Sequence, residues 1–349
     1  MNRVLAKFVL PLSQLASKST FSSSSSLVTS STASGKIRRK SKQVKNLLLL
    51  ASSDAELSVR YHKLSNKKKK PKELHFPNTV RSRHFFPSFS CNAFFLGHLF
   101  EEAALWNPTT DEIKFLPESS VPRPPWTRNT YFCYGFGFDH HHYDYKVIRF
   151  IDYMCLEDDT ENTLVELYSL KRDSWKEVMF PHISTPPGIQ GVHINGIFYW
   201  LAGDGVILSF DMTTEEFPSI STPLIPLPQT DLLNYFNNNL ILAEFNGQLA
   251  TIVHSNLESL CLDSFHIQIW VWNHESWSRV LSNVSIVSGV AYCKLLGFFN
   301  NVELYVQSWD GEVVCVDCAT GELKFLGLFV DSWRASLFPY VESGQPIQV

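Results

Sequence analysis

The chain has 349 residues, 44% of them hydrophobic and 13% aromatic, with 26 Phe, 7 Cys and a net charge of −4. That length holds one large core or two domains, and no apolar run approaches the roughly 18 residues needed to cross a bilayer. An odd number of scattered cysteines builds no disulfide framework, which favours a reduced compartment over secretion.

The charge is unevenly placed. Residues 1–80 hold 16 Lys+Arg against 3 Asp+Glu, whereas residues 81–349 hold 14 against 31. No Lys or Arg occurs between Lys176 and Arg279, a stretch with ten acids. A folded part of that sign repels phosphate backbones and prefers basic or apolar partners, so neither nucleic acid nor a membrane is expected as partner.

In chain order, residues 1–53 carry nine basic residues, fourteen serines and no acid. Leu5, Phe8, Val9, Leu12 and Leu15 share a helical face that Pro11 interrupts. This start resembles a transit peptide for mitochondrion or plastid. The plainer reading is a Ser/Lys tail too polar to build a core. A basic, Ser-rich extension is therefore assigned to residues 1–46 and a folded domain to residues 47–349. Leu57–Leu64 and Glu73–Phe76 are strand-like and flank Asn66–Lys70, a lysine-rich turn that reads as a solvated loop before it reads as a nuclear signal.

A repeat follows. Gly191–Phe217 holds four short strands: Val192–Ile194, a turn at Asn195-Gly196, Ile197–Leu201, a turn at Gly203-Asp204-Gly205, Ile207–Met212, and a turn at Thr213–Glu216 into Phe217. Asn-Gly suits a two-residue type I′ turn because both central residues need φ > 0. Equivalent hairpins occur at Cys91-Asn92-Ala93, Phe245-Asn246-Gly247 and Phe299-Asn300-Asn301, with a further one at Tyr134–Phe138, Asp139–His142 and Lys146–Ile151. Partner hairpins occur at Ala104–Phe115, Glu166–Trp175, Ser209–Phe217, Ile269–Trp277 and Val314–Leu323. Leu57–Phe76 stands as a sixth that lacks its own first half, and Ala335–Val341 is left over at the end. A radial sheet array leaves open edges unless its ends meet. The expectation is an all-β propeller of six blades, closed by the C-terminal segment, or seven if two units have been merged.

At these repeats the chain resembles the plant F-box-associated, kelch-like propeller domain of F-box/kelch and S-locus F-box proteins. The residues that carry the resemblance are Ser90-Cys91-Asn92, Leu105-Trp106-Asn107-Pro108-Thr109-Thr110, and Tyr134-Gly135-Phe136-Gly137-Phe138-Asp139 followed by Asp144–Val147. Val165–Leu170 and Asn195-Gly196 with Tyr199-Trp200-Leu201 add to it, over roughly Asn46 to Val341. The resemblance implies a domain that selects a target protein for ubiquitination, next to an F-box that docks on the Skp adaptor of a cullin ligase. The region before Asn46 lacks the Leu-Pro opening, amphipathic helices and Cys/Trp ending of an F-box. Skp and cullin binding are therefore expected only if an F-box precedes this sequence in the full transcript. Ala93 also departs from the pattern, since glycine is usual there and Ala tolerates φ > 0 less well.

Candidate chemistry is sparse. His140-His141-His142 with Asp139 and Asp144 reads as a turn tip, because neighbouring strand residues point to opposite faces. Cys315-x-x-Cys318 is half of a zinc or redox motif without its second half. Gly135-x-Gly137 and Gly203-x-Gly205 lie in β context without a following helix, which argues against phosphate binding. Asp211, Asp317 and Glu322 read as turn residues, and the tryptophans at 106, 175, 200, 270, 272 and 277 as mostly core, with a few of them open to an aromatic binding surface. No catalytic residue, metal or cofactor is expected. The favoured reading is a protein-binding propeller whose target is basic and meets Asp204, Glu215, Glu216 and Glu275. An adaptor-free scaffold or decoy, and a propeller enzyme with clustered titratable groups at its channel mouth, stay open.

Overall fold

A computed structural model describes residues 46–53, 59–64, 72–74, 86–180, 187–202, 206–218, 222–223, 240–255, 264–287, 292–299, 302–308, 310–330 and 335–347. These residues form strands and turns, with no helix among them. The strands make six four-stranded antiparallel sheets.

Five sheets each use four consecutive strands. The first holds β4 (Phe86–Cys91), β5 (Phe94–Leu99), β6 (Glu102–Asn107) and β7 (Glu112–Phe115). The next holds β8 (Thr127–Asp139), β9 (Asp144–Cys155), β10 (Glu161–Ser169) and β11 (Ser174–Glu177). Then come β12 (Pro187–Ile194), β13 (Ile197–Ala202), β14 (Val206–Asp211) and β15 (Thr222–Pro223). They are followed by β16 (Leu240–Phe245), β17 (Gln248–Ser255), β18 (Ser264–Trp272) and β19 (Trp277–Val287). The fifth holds β20 (Tyr292–Phe299), β21 (Glu303–Ser308), β22 (Glu312–Asp317) and β23 (Leu323–Phe329).

The remaining sheet is composite. It runs β24 (Ser336–Val341), β1 (Asn46–Ser53), β2 (Val59–Leu64) and β3 (Lys72–Leu74), so the two ends of the domain share one sheet. Asn46 pairs with Val341 and Ala51 with Ser336. The half-unit read at Leu57–Phe76 thus lacks only its innermost strand, because β1 supplies another that the sequence reading left outside it. In the sheet of β12–β15, the fourth strand is Thr222–Pro223 and not Phe217.

Short apolar runs buried on both faces, such as Phe94–Leu96 and Val313–Val316, drive these sheets to pack face to face. Phe94, Leu96, Leu105, Phe136, Ile148, Phe150, Leu167, Phe198, Trp200 and Phe210 form one continuous core across the sheets of β4–β15. Ala250, Ile252, Ile269, Leu304, Val314 and Val316 fill the interface between the sheets of β16–β19 and β20–β23.

Antiparallel order gives each sheet two ends. First-to-second and third-to-fourth connections lie at one, here called the hairpin end. Second-to-third and sheet-to-sheet connections lie at the other, the crossing end. At the hairpin end, Asn195 Nδ2 donates to the Gly247 carbonyl of the neighbouring tip at 2.9 Å.

Candidate functional site

The hairpin end is built from one repeated turn. Asn107, Asp139, Ser169, Asp211 and Asp317 each open a turn whose fifth residue is left-handed: Asp111 at φ 58°, Tyr143 at 52°, Asp173 at 50°, Glu215 at 60° and Gly321 at 75°. The opening side-chain oxygen takes a backbone N–H of the turn, from Thr109 (2.9 Å), His141 (2.9 Å), Arg172 (3.1 Å), Thr213 (2.7 Å) and Ala319 (2.8 Å). Short Asn, Asp and Ser side chains favour this local bond, which is why they recur at these positions. Asp211 and Asp317 are therefore turn caps, in line with the sequence reading. The two-residue tips differ from one another. Asn195 (φ 49°) and Gly196 (φ 87°) are both left-handed, whereas at Asn92-Ala93 only Asn92 is (φ 53°). That is how Ala93 is accommodated without a glycine.

Behind these tips lies an ionic network that spans two sheets. Lys146, buried on β9, reaches Asp139 (2.7 Å), Glu215 (2.8 Å) and the Met212 carbonyl (2.6 Å). Glu215 also pairs with Arg172 at 3.1 Å and with Lys176. Burial raises the Asp139 carboxyl, but hydrogen bonds from Lys146, His142 and Thr213 outweigh it and hold the group well below the usual carboxylate range. Burial likewise opposes ionisation of Glu215, yet Lys146 and Lys176 bring it down to about 2. A second buried pair, Arg149 and Glu166, lies across β9 and β10, with the guanidinium 4.2 Å from the centre of the Trp175 ring.

The inner strands β4, β8 and β12 meet at Cys91, Gly137 and His193. Gly137 leaves room for the imidazole, since a Cβ there would lie 2.4 Å from His193 Cδ2. The Phe138 N–H donates to His193 Nε2 at 3.3 Å, so the ring proton sits on Nδ1, which is 3.6 Å from Cys91 Sγ. With its lone pair used in that way, the imidazole is not placed to take a proton from the thiol. Burial pushes the Cys91 thiol up to about 12. Burial, helped by His140, brings His193 down to about 4. A protonated thiol beside a neutral imidazole packs the inner strands and does not make an activated nucleophile.

The remaining motifs separate in space. His142 Nδ1 is 2.7 Å from Asp139 Oδ2 and His141 Nδ1 is 3.4 Å from His142 Nε2, within one turn. Cys315 packs into one apolar cluster and Cys318 into another, on opposite sides of their sheet. Burial raises these thiols to about 11 and about 12. Trp106, Trp175 and Trp200 are buried, while Trp270, Trp272 and Trp277 are half-buried. Of the four acids singled out in the sequence, Glu216 and Glu275 are exposed on hairpin-end turns, Glu215 is held in the network above, and Asp204 lies outside the described residues.

Sequence reading missed the buried cations and the crossing end. There the turn between β5 and β6 is pinned by the next sheet. Tyr134 Oη donates to the Phe100 carbonyl at 2.7 Å and Arg149 Nη1 to the Glu101 carbonyl at 2.9 Å. The Glu101 carboxylate takes Arg123 Nη1 at 2.6 Å and also Asn129 Nδ2. Pro122, Pro124 and Pro125 beside Trp126 were the signal of a fixed loop here.

Comparison with known proteins gives a match to the F-box associated beta propeller domain over residues 45–330. The chain belongs to that family. Among its relatives in Arabidopsis thaliana is a putative F-box/kelch-repeat protein, 28% identical over 165 residues that make up 41% of this chain and 40% of that protein. A putative F-box protein is 26% identical over 218 residues, 56% of this chain and 52% of its own length. F-box protein CPR1 is 29% identical over 212 residues, 52% of this chain and 48% of that one. The chain thus spans about half, or less, of the length of these relatives. The two glycines of the family-like stretch Tyr134–Asp139 now have a physical reason. Gly135 makes way for Trp200 and Gly137 for His193, both carried by the adjacent sheet.

Proposed function

We propose that this F-box-associated propeller is the target-recognition part of a Skp–cullin–F-box ubiquitin ligase, selecting proteins for ubiquitination. The observation that carries the reading is the family match over residues 45–330. An F-box, where one accompanies the propeller, would supply the adaptor contact, and the propeller the choice of target. In this reading the domain binds and does no chemistry of its own, consistent with the tied state of Cys91, His193 and the Asp139–Lys146–Glu215 network. The composite sheet acts as a sixth blade closing the ring. Its support is that β24, β4, β8, β12, β16 and β20 neighbour one another in that order, with β20 returning to β24. Glu216 and Glu275, with Asp204, are proposed as acids that speed the approach of a basic target.

The test joins an F-box module to the full chain in plant cells and follows protein half-lives. A small set of proteins should bind the propeller and turn over faster, in a proteasome-dependent way. Bound proteins whose half-lives stay unchanged would overturn the ligase reading in favour of a scaffold or decoy.

A further inference from the structure

Three large apolar side chains stand exposed at the crossing end. Phe100, at the turn between β5 and β6, is 71% exposed, Trp126, just before β8, is 70% exposed, and Leu156, just after β9, is 54% exposed. Trp126 and Leu156 are neighbours, with the Leu156 N–H donating to the Trp126 carbonyl at 2.9 Å. Phe100 lies on the same end, tied to the loop before β8 because Arg123, three residues before Trp126, reaches the Glu101 carboxylate at 2.6 Å. A monomer normally hides such a group or scatters its members.

Two of the three are also held in a conformation that bulky residues avoid. Phe100 has φ 52° and Trp126 φ 59°. Left-handed backbone is strained for a side chain with a Cβ, and it persists only where the surroundings impose it. At Phe100 they do: Tyr134 and Arg149 of the next sheet hold the Phe100 and Glu101 carbonyls, while Asn129 of that sheet and Arg123 of the loop before it hold the Glu101 carboxylate. At Trp126 the carbonyl is held by the Leu156 N–H. An exposed aromatic side chain on a backbone that is already held in place loses less entropy when a partner covers it, which is the property of an interface anchor.

The charge beside the anchors names the partner. Glu157, Asp158 and Asp159, on the turn that carries Leu156, and Glu161, at the start of β10, are all exposed, as is one cation, Arg128, which pairs across β8 and β9 with Met154. Asp158 is partly used by Thr160, whose N–H and hydroxyl donate to it at 3.1 and 2.7 Å. The field there is negative and favours cations.

We infer that Phe100, Trp126 and Leu156 form a docking surface for a basic segment of the target protein, one that carries an aromatic or aliphatic anchor flanked by Lys or Arg. The segment's apolar anchor covers Trp126 and Phe100 while its cations meet the Glu157–Glu161 turn. This deepens the proposed recognition role and rests on it. It also places the main contact at the opposite end from Glu216 and Glu275.

A displayed random peptide library panned on the full chain tests the surface directly. Selected peptides should combine Trp, Phe or Leu with Lys or Arg, and their binding should weaken as salt rises. Trp126→Ser and Phe100→Ser should each weaken them by about tenfold or more, as loss of an interface anchor does. Glu157→Lys with Asp159→Lys should weaken them too, and Glu216→Gln with Glu275→Gln should not. Unchanged melting of each variant confirms that it is folded. Selection of acidic or uncharged peptides, or equal binding to Trp126→Ser, would overturn the proposal. So would a dimer of this chain that Trp126→Ser dissolves, since the surface would then belong to a second copy. A target whose turnover is accelerated but whose affinity is unmoved by Trp126→Ser would sink this surface and leave the recognition role standing. Failure of any protein to turn over faster would sink that role and leave the peptide result to be judged by itself.

Discussion

Trp200 on β13 donates its indole N–H to the Tyr134 carbonyl on β8 at 2.8 Å, and its ring occupies the place where Gly135 would carry a Cβ. A Cβ there would lie 2.3 Å from Trp200 Cζ2 and 2.9 Å from Ile148 Cγ2, closer than real carbons approach. Gly135→Ala is therefore expected to destabilise the domain by about 1–3 kcal/mol through overpacking. Gly196→Ala meets open space and carries only the cost of φ 87°. Urea unfolding of the two variants should rank Gly135→Ala as the more damaging. The reverse ranking would show that the junction between these sheets yields easily.

The family match ends at residue 330, yet β24 begins at Ser336 and pairs with β1 along its length. Asn107, wholly buried, donates from Nδ2 to the carbonyls of Ser343 (3.1 Å) and Gln345 (2.7 Å), and the Ile347 N–H reaches Glu112. A chain ending at Val330 leaves one edge of β1 without its partner and uncovers the buried side chains around Phe95. It should aggregate or unfold at lower urea than the full chain. Asn107→Ala, which removes the tail's anchor together with the cap on the Thr109 N–H, should cost about 1–3 kcal/mol. Proteolysis near Ser343 that is no faster in Asn107→Ala would refute the anchoring role.

What could be read in advance was local. Asn195-Gly196 and Asn246-Gly247 announce their tips because a two-residue turn demands φ > 0 at both positions, and Asp211 and Asp317 cap turns through bonds two residues away. Non-local features stayed hidden. Leu47–Leu50 shows no alternation, and its inner partner Leu337–Tyr340 lies at the far end of the chain. Lys146 and Arg149 look like ordinary outward strand residues until Glu215 arrives from another sheet and Glu166 from the facing strand. Strands β8 and β9 run to Thr127 and Cys155, beyond the segments read as Tyr134–Phe138 and Lys146–Ile151; the far end of β8 is polar, and that of β9 is half-buried and mixed in character. That extension carries Trp126 and Leu156, so a docking surface at the crossing end had no periodic signal.

The buried pair of Arg149 and Glu166 offers a test of how such charges contribute. Glu166 is wholly buried, accepting from Arg149 and from Ser119 Oγ at 2.9 Å. Glu166→Gln leaves the guanidinium short of a counter-charge in a dry site, at a cost of about 3–5 kcal/mol. Arg149→Met combined with Glu166→Leu should cost less than Glu166→Gln alone, because neither charge is then stranded. A double variant as damaged as the sum of its parts would mean that the bond from Arg149 to Glu101 matters more than the pair.

Acid should weaken the domain in two stages. Burial lowers His98 and His193 from an ordinary 6.5 to about 4. For a base whose folded value is depressed, the unfolded chain takes up the proton first. The stability held by these neutral rings is complete above 6.5 and falls as pH drops from there towards 4. Glu215 follows lower down. Although burial opposes its charge, Lys146 and Lys176 bring it from 4.5 to about 2, so its contribution is present above 4.5 and is lost as pH falls through that window. Urea midpoints measured from neutral pH downward should decline first with the histidines and again with the carboxylate. His193→Gln should flatten the upper stage and Glu215→Gln the lower. Glu216→Gln and Glu275→Gln, on exposed turns, should leave the stability at neutral pH within about 0.5 kcal/mol of the parent. An upper stage that survives replacement of both His98 and His193 would show that other groups take up the first protons.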